Sequence, residues 1–364
     1  MTDRVQVADP AVDDRELDRI RGVVERGQLA DGPVVRKFED AFAAFCGADR
    51  GVACANGTAA LVAALRALGV GSGDAVVTTP FSYVATANAV RLCGATPVFA
   101  DVDPVTYTLD PAAVRERVAS TENAVAILAV HLYGLPAEMR ELEAIADDHD
   151  LALVEDAAQA HGAAYDGRPV GSLGDAACFS FYPTKNMTTG EGGMVLTDDA
   201  AVAERARRFV NHGKDDEGVH REVGHNLRMT SIAGAMGLVQ LERLPEFVAA
   251  RRANAALLSD LLADTGVETP VEPEGRRHAY HQYTVRTDER DRLRRALDAK
   301  GVDAGVYYPT PIHEEPAYEG YEYDLPVAER AAREVLSLPV HPGLDETDVC
   351  RVARGVAERA GEAP

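Results

Sequence analysis

The chain has 364 residues, 46% of them hydrophobic and 26% charged, and its 59 acidic against 37 basic side chains leave a formal net charge of −22. This describes a globular chain with room for two domains and a substantial core; the acidic field excludes nucleic acid and anionic lipid as main partners, and no run of about 18 apolar residues is present to span a membrane. The polar, acidic N-terminal stretch lacks the apolar segment of a signal peptide, so the cytoplasm is the expected address.

In chain order, short apolar runs fall at 51–55 (GVACA), 75–80 (AVVTTP), 96–102 (TPVFADV), 124–132 (AVAILAVHL), 151–158 (LALVEDAA), 176–182 (AACFSFY) and 192–198 (GGMVLTD). Most are continuously apolar rather than alternating, as in strands covered on both faces. Helical stretches such as TAALVAALRALG and YVATANAVRLCG lie between them, the second closed by Gly94. Strand–helix alternation of this kind predicts an α/β large domain, with a mostly parallel sheet covered by helices, over residues 1–240. Beyond it a long helical pattern carries Pro245, which should end or kink the helix. Short strands are expected at HQYTVRTD and VDAGVYYP, with helices near 289–300, 327–336 and 345–360. These make a smaller C-terminal α+β domain, residues 241–364.

The five cysteines are scattered with no CxxC pair, which predicts free thiols rather than disulfides or a zinc site. Lysine is scarce: Lys37, Lys185, Lys214 and Lys300 are the only four. Carboxylates spread along the whole length, with arginine in place of lysine, point to adaptation to high salt.

Three stretches carry chemistry. In CANGTAAL a strand delivers Asn56-Gly57-Thr58 into a helix start, where free amides and the helix dipole favour a phosphate; simple capping explains the same residues. In LALVEDAAQAHG, Asp156 closes an apolar strand. A buried carboxylate there needs a cationic or donor partner; a helix N-cap, or less readily a metal shared with His161, are the alternatives. In SFYPTKNMTTGEGG, Lys185 follows a strand end, where ligands meet an open α/β sheet. Partial burial lowers a lysine pKa and makes the amine a Schiff-base nucleophile, whereas an ordinary surface lysine has no such task. Ser180, five residues earlier, can add a hydroxyl to the anion site. GVGSGD (69–74) follows a helix and precedes a strand, the reverse of a dinucleotide fingerprint.

Taken in order, these pieces resemble the fold-type I aminotransferases of the aspartate aminotransferase superfamily. More closely, the chain resembles the DegT/DnrJ/EryC/StrS sugar aminotransferases, nearly end to end. The resemblance runs through LADGPVVRKFEDAFAAFCG, NGTAAL, PFSYVATANAV, VHLYGLPAEM, EDAAQAHGA, FSFYPTKNMTTGEGGMVLTDD, GHNLRM, GVYYPTPIH and LSLPVHPGL. It implies pyridoxal 5'-phosphate as cofactor, with Lys185 as covalent anchor and proton shuttle and Asp156 against the pyridinium nitrogen. Gln159 would contact the phenolic oxygen, Tyr83 would stack on the ring, and Gly57, Thr58 and Ser180 would hold the phosphate. Asn226 would reach the phosphate of a neighbouring subunit, making the active unit a homodimer with shared sites, and Arg228, Tyr308 and His313 are candidates for substrate contacts. No metal is implied. Family members with histidine at the lysine position act as dehydratases; Lys185 points to transamination instead.

The implied reaction moves the amino group of glutamate onto a nucleotide-linked keto-sugar. TTGEGGM is similar to perosamine-type enzymes, which favours a 4-keto-6-deoxy hexose. Amination of a UDP-3-keto-sugar or keto-cyclitol, and a non-catalytic regulatory protein on the same fold, are the rivals.

Overall fold

The structure, a computed structural model, describes residues 4–360. The chain opens with helices α1 (Asp14–Arg26) and α2 (Pro33–Cys46), both of which pack on a much later helix. The central sheet follows. Its strands are β1 (Arg50–Cys54), β2 (Ala75–Thr78), β3 (Thr96–Phe99), β4 (Ala124–Val130) and β5 (Ala152–Asp156), then, after the two short strands β6 (Ala164–Tyr165) and β7 (Arg168–Pro169), β8 (Ala176–Ser180) and β9 (Gly193–Thr197). Helices α3 (Gly57–Ala67), α4 (Ala85–Leu92), α5 (Pro111–Ala119), α6 (Met139–His149) and α7 (Ala200–Val210) connect them.

The sheet has seven strands in the order β1-β9-β8-β5-β4-β2-β3. The pairs from β8 through β3 are all parallel, while β9 runs antiparallel to both β1 and β8. The apolar runs are continuous because both faces are covered: one by a core around Phe38, Phe42, Phe179 and Phe181, the other by a core around Leu61, Leu65, Val90 and Val154. Helical crossovers between parallel strands leave the C-terminal ends of β4, β5 and β8 side by side, with Asp156 in register with Val130 and Cys178.

Helix α8 (Ser231–Leu262) does not end at Pro245 but continues through it. Its first half buries Leu241, Leu244 and Val248 in the main core, and its second half buries Ala255, Leu258 and Leu262 in the C-terminal core. Anchoring at both ends outweighs the roughly 3 kcal/mol that an internal proline costs a helix. Beyond it come β10 (Arg276–Arg277), β11 (Tyr283–Arg286), α9 (Arg290–Ala299), α10 (Pro326–Glu334), β12 (Val335–Leu338) and α11 (Glu346–Ala360).

Two details of the C-terminal part also differ. VDAGVYYP makes only single bridges, Val302 to Val5 and Gly305 to Ser337, because it leaves the sheet to carry Tyr308, at φ 59°, towards the site. The helix expected at 327–336 stops at Glu334, and Val335–Leu338 pairs instead with β11. No described helix is long and apolar enough to cross a membrane.

Candidate active site

Asp156 ends β5 and is buried. Its carboxylate accepts from Thr86 Oγ1 at 2.8 Å and from the Ala158 amide at 3.2 Å, and Ser82 Oγ lies 2.9 Å from the Thr86 hydroxyl. Burial pushes its pKa up, opposed by these donors and by the Lys185 charge. A carboxylate in this position awaits a cation.

Lys185 stands just past β8, in a loop closed by backbone bonds. Phe181 N donates to Gly192 O at 2.9 Å, Thr189 N to Phe181 O at 3.0 Å and Lys185 N to Tyr182 O at 2.9 Å. Burial pulls the amine down from 10.5 to about 8, against the opposing field of Asp156. It is therefore a primary amine with a usable neutral fraction near neutral pH.

The third component is a cradle where α3 begins. Asn56 Oδ1 accepts from Ala59 N at 2.9 Å, and the preceding amides of Gly57 and Thr58 belong to the first turn, which has no intrahelical acceptors. Close approach dictates the glycines. A Cβ on Gly57 would stand 2.7 Å from Ser180 Cβ, and one on Gly193 would stand 2.3 Å from the Asn56 carbonyl oxygen. Strand β9 and the end of β8 are thus pressed against the turn.

Gln159 is buried and held at both ends of its amide. Its Oε1 accepts from Tyr133 N at 2.8 Å, and its Nε2 donates to Tyr308 Oη at 2.9 Å. Tyr308 lies nearly parallel to Tyr133, ring centroids 6.3 Å apart. Tyr83, 63% exposed ahead of α4, lies close enough to Tyr308 to be among the groups that act on its hydroxyl. Asp156, Lys185, Gln159, Tyr308 and Tyr83 therefore share one locality, and the Gly57–Thr58–Ser180 cradle continues the same sheet edge.

Asn226 and Arg228 run beside that cradle: Leu227 O accepts from Ala55 N at 2.7 Å, Arg228 bridges to Cys54, and Arg228 Nη1 donates to Asn211 Oδ1 at 2.6 Å. Asn226 itself is exposed on this chain. His313 is buried against Phe99 and Tyr323 with Nε2 3.5 Å from Glu329. Thr86 and Ser82 were not anticipated, although FSYVAT places two hydroxyls four residues apart at a helix start.

The donor set fits a phosphorylated pyridine aldehyde: amides and hydroxyls for the phosphate, a buried carboxylate for a protonated ring nitrogen, and a primary amine for the carbonyl.

Comparison with known proteins agrees. A pleiotropic regulatory protein of Geobacillus stearothermophilus is 44% identical over 343 residues, 92% of each chain. The dTDP-3-amino-3,4,6-trideoxy-alpha-D-glucose transaminase of Streptomyces venezuelae is 43% identical, covering 94% of this chain and 91% of its own. The crystal structure of S. venezuelae DesV superposes with a TM-score of 0.93 at 41% identity, covering 96% of this chain and 95% of that one. Matched over residues 10–357, the chain belongs to the DegT/DnrJ/EryC1/StrS aminotransferase family and is a pyridoxal phosphate-dependent aminotransferase.

Proposed function

We propose that this aminotransferase moves the amino group of glutamate onto a nucleotide-linked keto-hexose. The observation that carries the reading is Lys185, its pKa lowered by burial, within the field of a buried Asp156 beside the Gly57–Ser180 cradle. When bound, the cofactor supplies an electron sink and carries the amino group between donor and acceptor.

The residues divide the remaining work. Gly57 and Thr58 amides with the Ser180 hydroxyl bind the phosphate. Ionised Asp156 keeps the ring nitrogen protonated, and Thr86 orients that carboxylate. Gln159, fixed by Tyr133 and Tyr308, would contact the cofactor's phenolic oxygen, and Tyr83 would cover its ring. The amine of Lys185 would anchor the cofactor and, once released, would take the proton from the donor's α-carbon in one half-reaction and deliver a proton to the aminated sugar carbon in the other. Tyr308, Arg228 and His313 are assigned to substrate. Asn226, exposed beside the cradle, serves the neighbouring subunit's phosphate, so the working unit is a homodimer.

TTGEGGM supports a 4-keto-6-deoxy sugar, whereas the product named for the S. venezuelae relative is aminated at carbon 3; the assay must carry both keto-sugars. The two-domain division at residues 240 and 241, a cytoplasmic location and adaptation to high salt, supported by the charge of −22, belong to the same reading. The name of the Geobacillus relative favours a second one, a regulatory protein on this fold; it gives no reason for a lysine and aspartate paired in this way.

The first test is the absorption spectrum of purified protein before and after borohydride, with peptide mapping. A chromophore bleached and fixed on Lys185, followed by 2-oxoglutarate release from glutamate only when a keto-sugar is present, is the expected result. A protein that stays colourless with added pyridoxal phosphate would favour the regulatory reading.

A further inference from the structure

Gln240, in the first half of α8, is 1% exposed. Its Nε2 donates to Ala11 O at 2.8 Å and to Glu16 Oε1 at 2.6 Å, and its Oε1 accepts from Thr188 N at 3.2 Å. Two donated bonds and one accepted bond fix the orientation of the amide, and neither a carboxylate nor an apolar side chain can make all three. Arg243, on the same helix face, donates to the same two oxygens, Ala11 O at 3.1 Å and Glu16 Oε1 at 2.9 Å.

The bridge joins two distant parts of the chain. Thr188 follows Lys185 in the same loop, and its hydroxyl closes that loop by donating to Phe181 O at 2.8 Å and accepting from Gly190 N at 3.0 Å. Ala11 belongs to the N-terminal segment. That segment is anchored at Val5, between Gly301 O and Asp303 N, and again at Asp13, which caps α1. Between these anchors, residues 8–11 line one cleft with Lys185, and the cleft has room for about one water. Over this span the described hold on the segment is His341 Nε2 at Gln6 O, 3.2 Å, and the Gln240–Arg243 pair at Ala11 O.

We propose that Gln240 is a positioning residue for Lys185, its amide clamping the N-terminal segment at Ala11 to the lysine loop at Thr188 so that the segment keeps water from the amine. This rests on Lys185 being the reactive amine of the aminotransferase reading. The charged and titratable groups around that amine are Asp156, His161, His281, Arg251 and Asp9. A neutral residue in place of Gln240 alters none of them, so a change at Lys185 reports cover rather than charge.

The experiment titrates the amine itself. Full-length apoprotein, as wild type, Q240M and Q240N, is trace-labelled with acetic anhydride across the lysine range, and peptide mapping compares Lys185 with the exposed Lys37 and Lys214 of the same sample. Methionine matches glutamine in length and makes none of the three bonds; asparagine keeps the amide but is one carbon short. The wild-type Lys185 midpoint is expected at about 8. In the variants it should rise by about one pH unit towards the ordinary lysine value as water reaches the amine, with a faster plateau from easier access. Hydrogen exchange should quicken together in residues 8–13 and 186–190. A folded variant with a lower melting temperature and an unmoved midpoint overturns the proposal. If neither variant folds, wild-type exchange decides: one shared opening rate for the two segments supports the clamp, and independent opening overturns it. A wild-type Lys185 that titrates with Lys37 overturns both the clamp and the reading beneath it. A midpoint shift in protein that borohydride never fixes to pyridoxal phosphate keeps the clamp and removes the cofactor reading.

Discussion

Replacing Asp156 by asparagine should move the pH dependence of cofactor capture in a direction fixed by the charges around Lys185. Only the neutral amine attacks a carbonyl. With a pKa of about 8, about 10% of Lys185 is neutral at pH 7, against about 0.03% for an ordinary lysine, a gain of about 300-fold. The capture rate of apo-protein mixed with pyridoxal phosphate, followed by stopped-flow absorbance, should therefore rise about tenfold per pH unit and level off above about pH 8. Dividing by the rate constant of neutral butylamine, its observed rate corrected for its own protonation, removes the cofactor's own ionisations. Burial lowers the Lys185 pKa and Asp156 raises it, so Asp156→Asn should shift the plateau to lower pH while slowing later turnover. A wild-type profile that climbs unbroken to the range of a free lysine would refute the burial argument. A D156N shift towards higher pH would refute the assignment of Asp156 as the opposing charge.

Gly57→Ala places a Cβ 2.7 Å from Ser180 Cβ; overpacking costs about 1–3 kcal/mol, so affinity for pyridoxal phosphate should fall about 5- to 150-fold. Tyr308→Phe removes the acceptor for Gln159 Nε2, a loss of about 1 kcal/mol, read as an approximately fivefold rise in cofactor dissociation with the melting temperature held. With a net charge of −22, self-repulsion is screened by salt; the melting temperature should climb steeply with potassium chloride, and a flat profile would remove the high-salt reading.

The parts of the site legible in the sequence were those that chemistry restricts to one residue type. Lys185 stood out because an arginine-rich chain has little reason for a lysine between a strand and a glycine loop, and Asp156 because an apolar strand ended in a charge. Gly57 and Gly193 were readable as glycines, but what they press against, Ser180 and the Asn56 carbonyl, depends on β9 inserting antiparallel between β1 and β8, which no local pattern encodes. The Gln159–Tyr308 bond joins residues 149 positions apart and exists only because Tyr308 adopts a left-handed backbone. That α8 does not end at Pro245 has a similar cause, because local propensity was outweighed by two cores that hold the helix ends.

The number of hydrogen-bond donors separates the two adjacent carboxylates of β5. Alternation along a strand sends Glu155 and Asp156 to opposite faces. Glu155, fully buried, accepts from Gly171 N at 3.0 Å, Leu173 N at 2.8 Å, Gly174 N at 3.2 Å and His131 Nε2 at 2.9 Å. The same histidine takes the Ala137 amide on Nδ1 and gives its own backbone N–H to Asp156 O. Nδ1 is therefore the acceptor and Nε2 carries the proton, and the imidazole locks the ends of β4 and β5 together without bringing a charge. Each Glu155 oxygen has two donors, so nothing remains for a ligand to satisfy. Asp156, held in place by that lock, has only Thr86 and Ala158. Arg207 is tied in turn to the buried Glu39 and to the Gly51 carbonyl. In this fold such partnered charges hold the strands and helices in place, whereas Asp156, with two donors and the field of Lys185 beside it, keeps capacity that a bound cofactor's cation would complete.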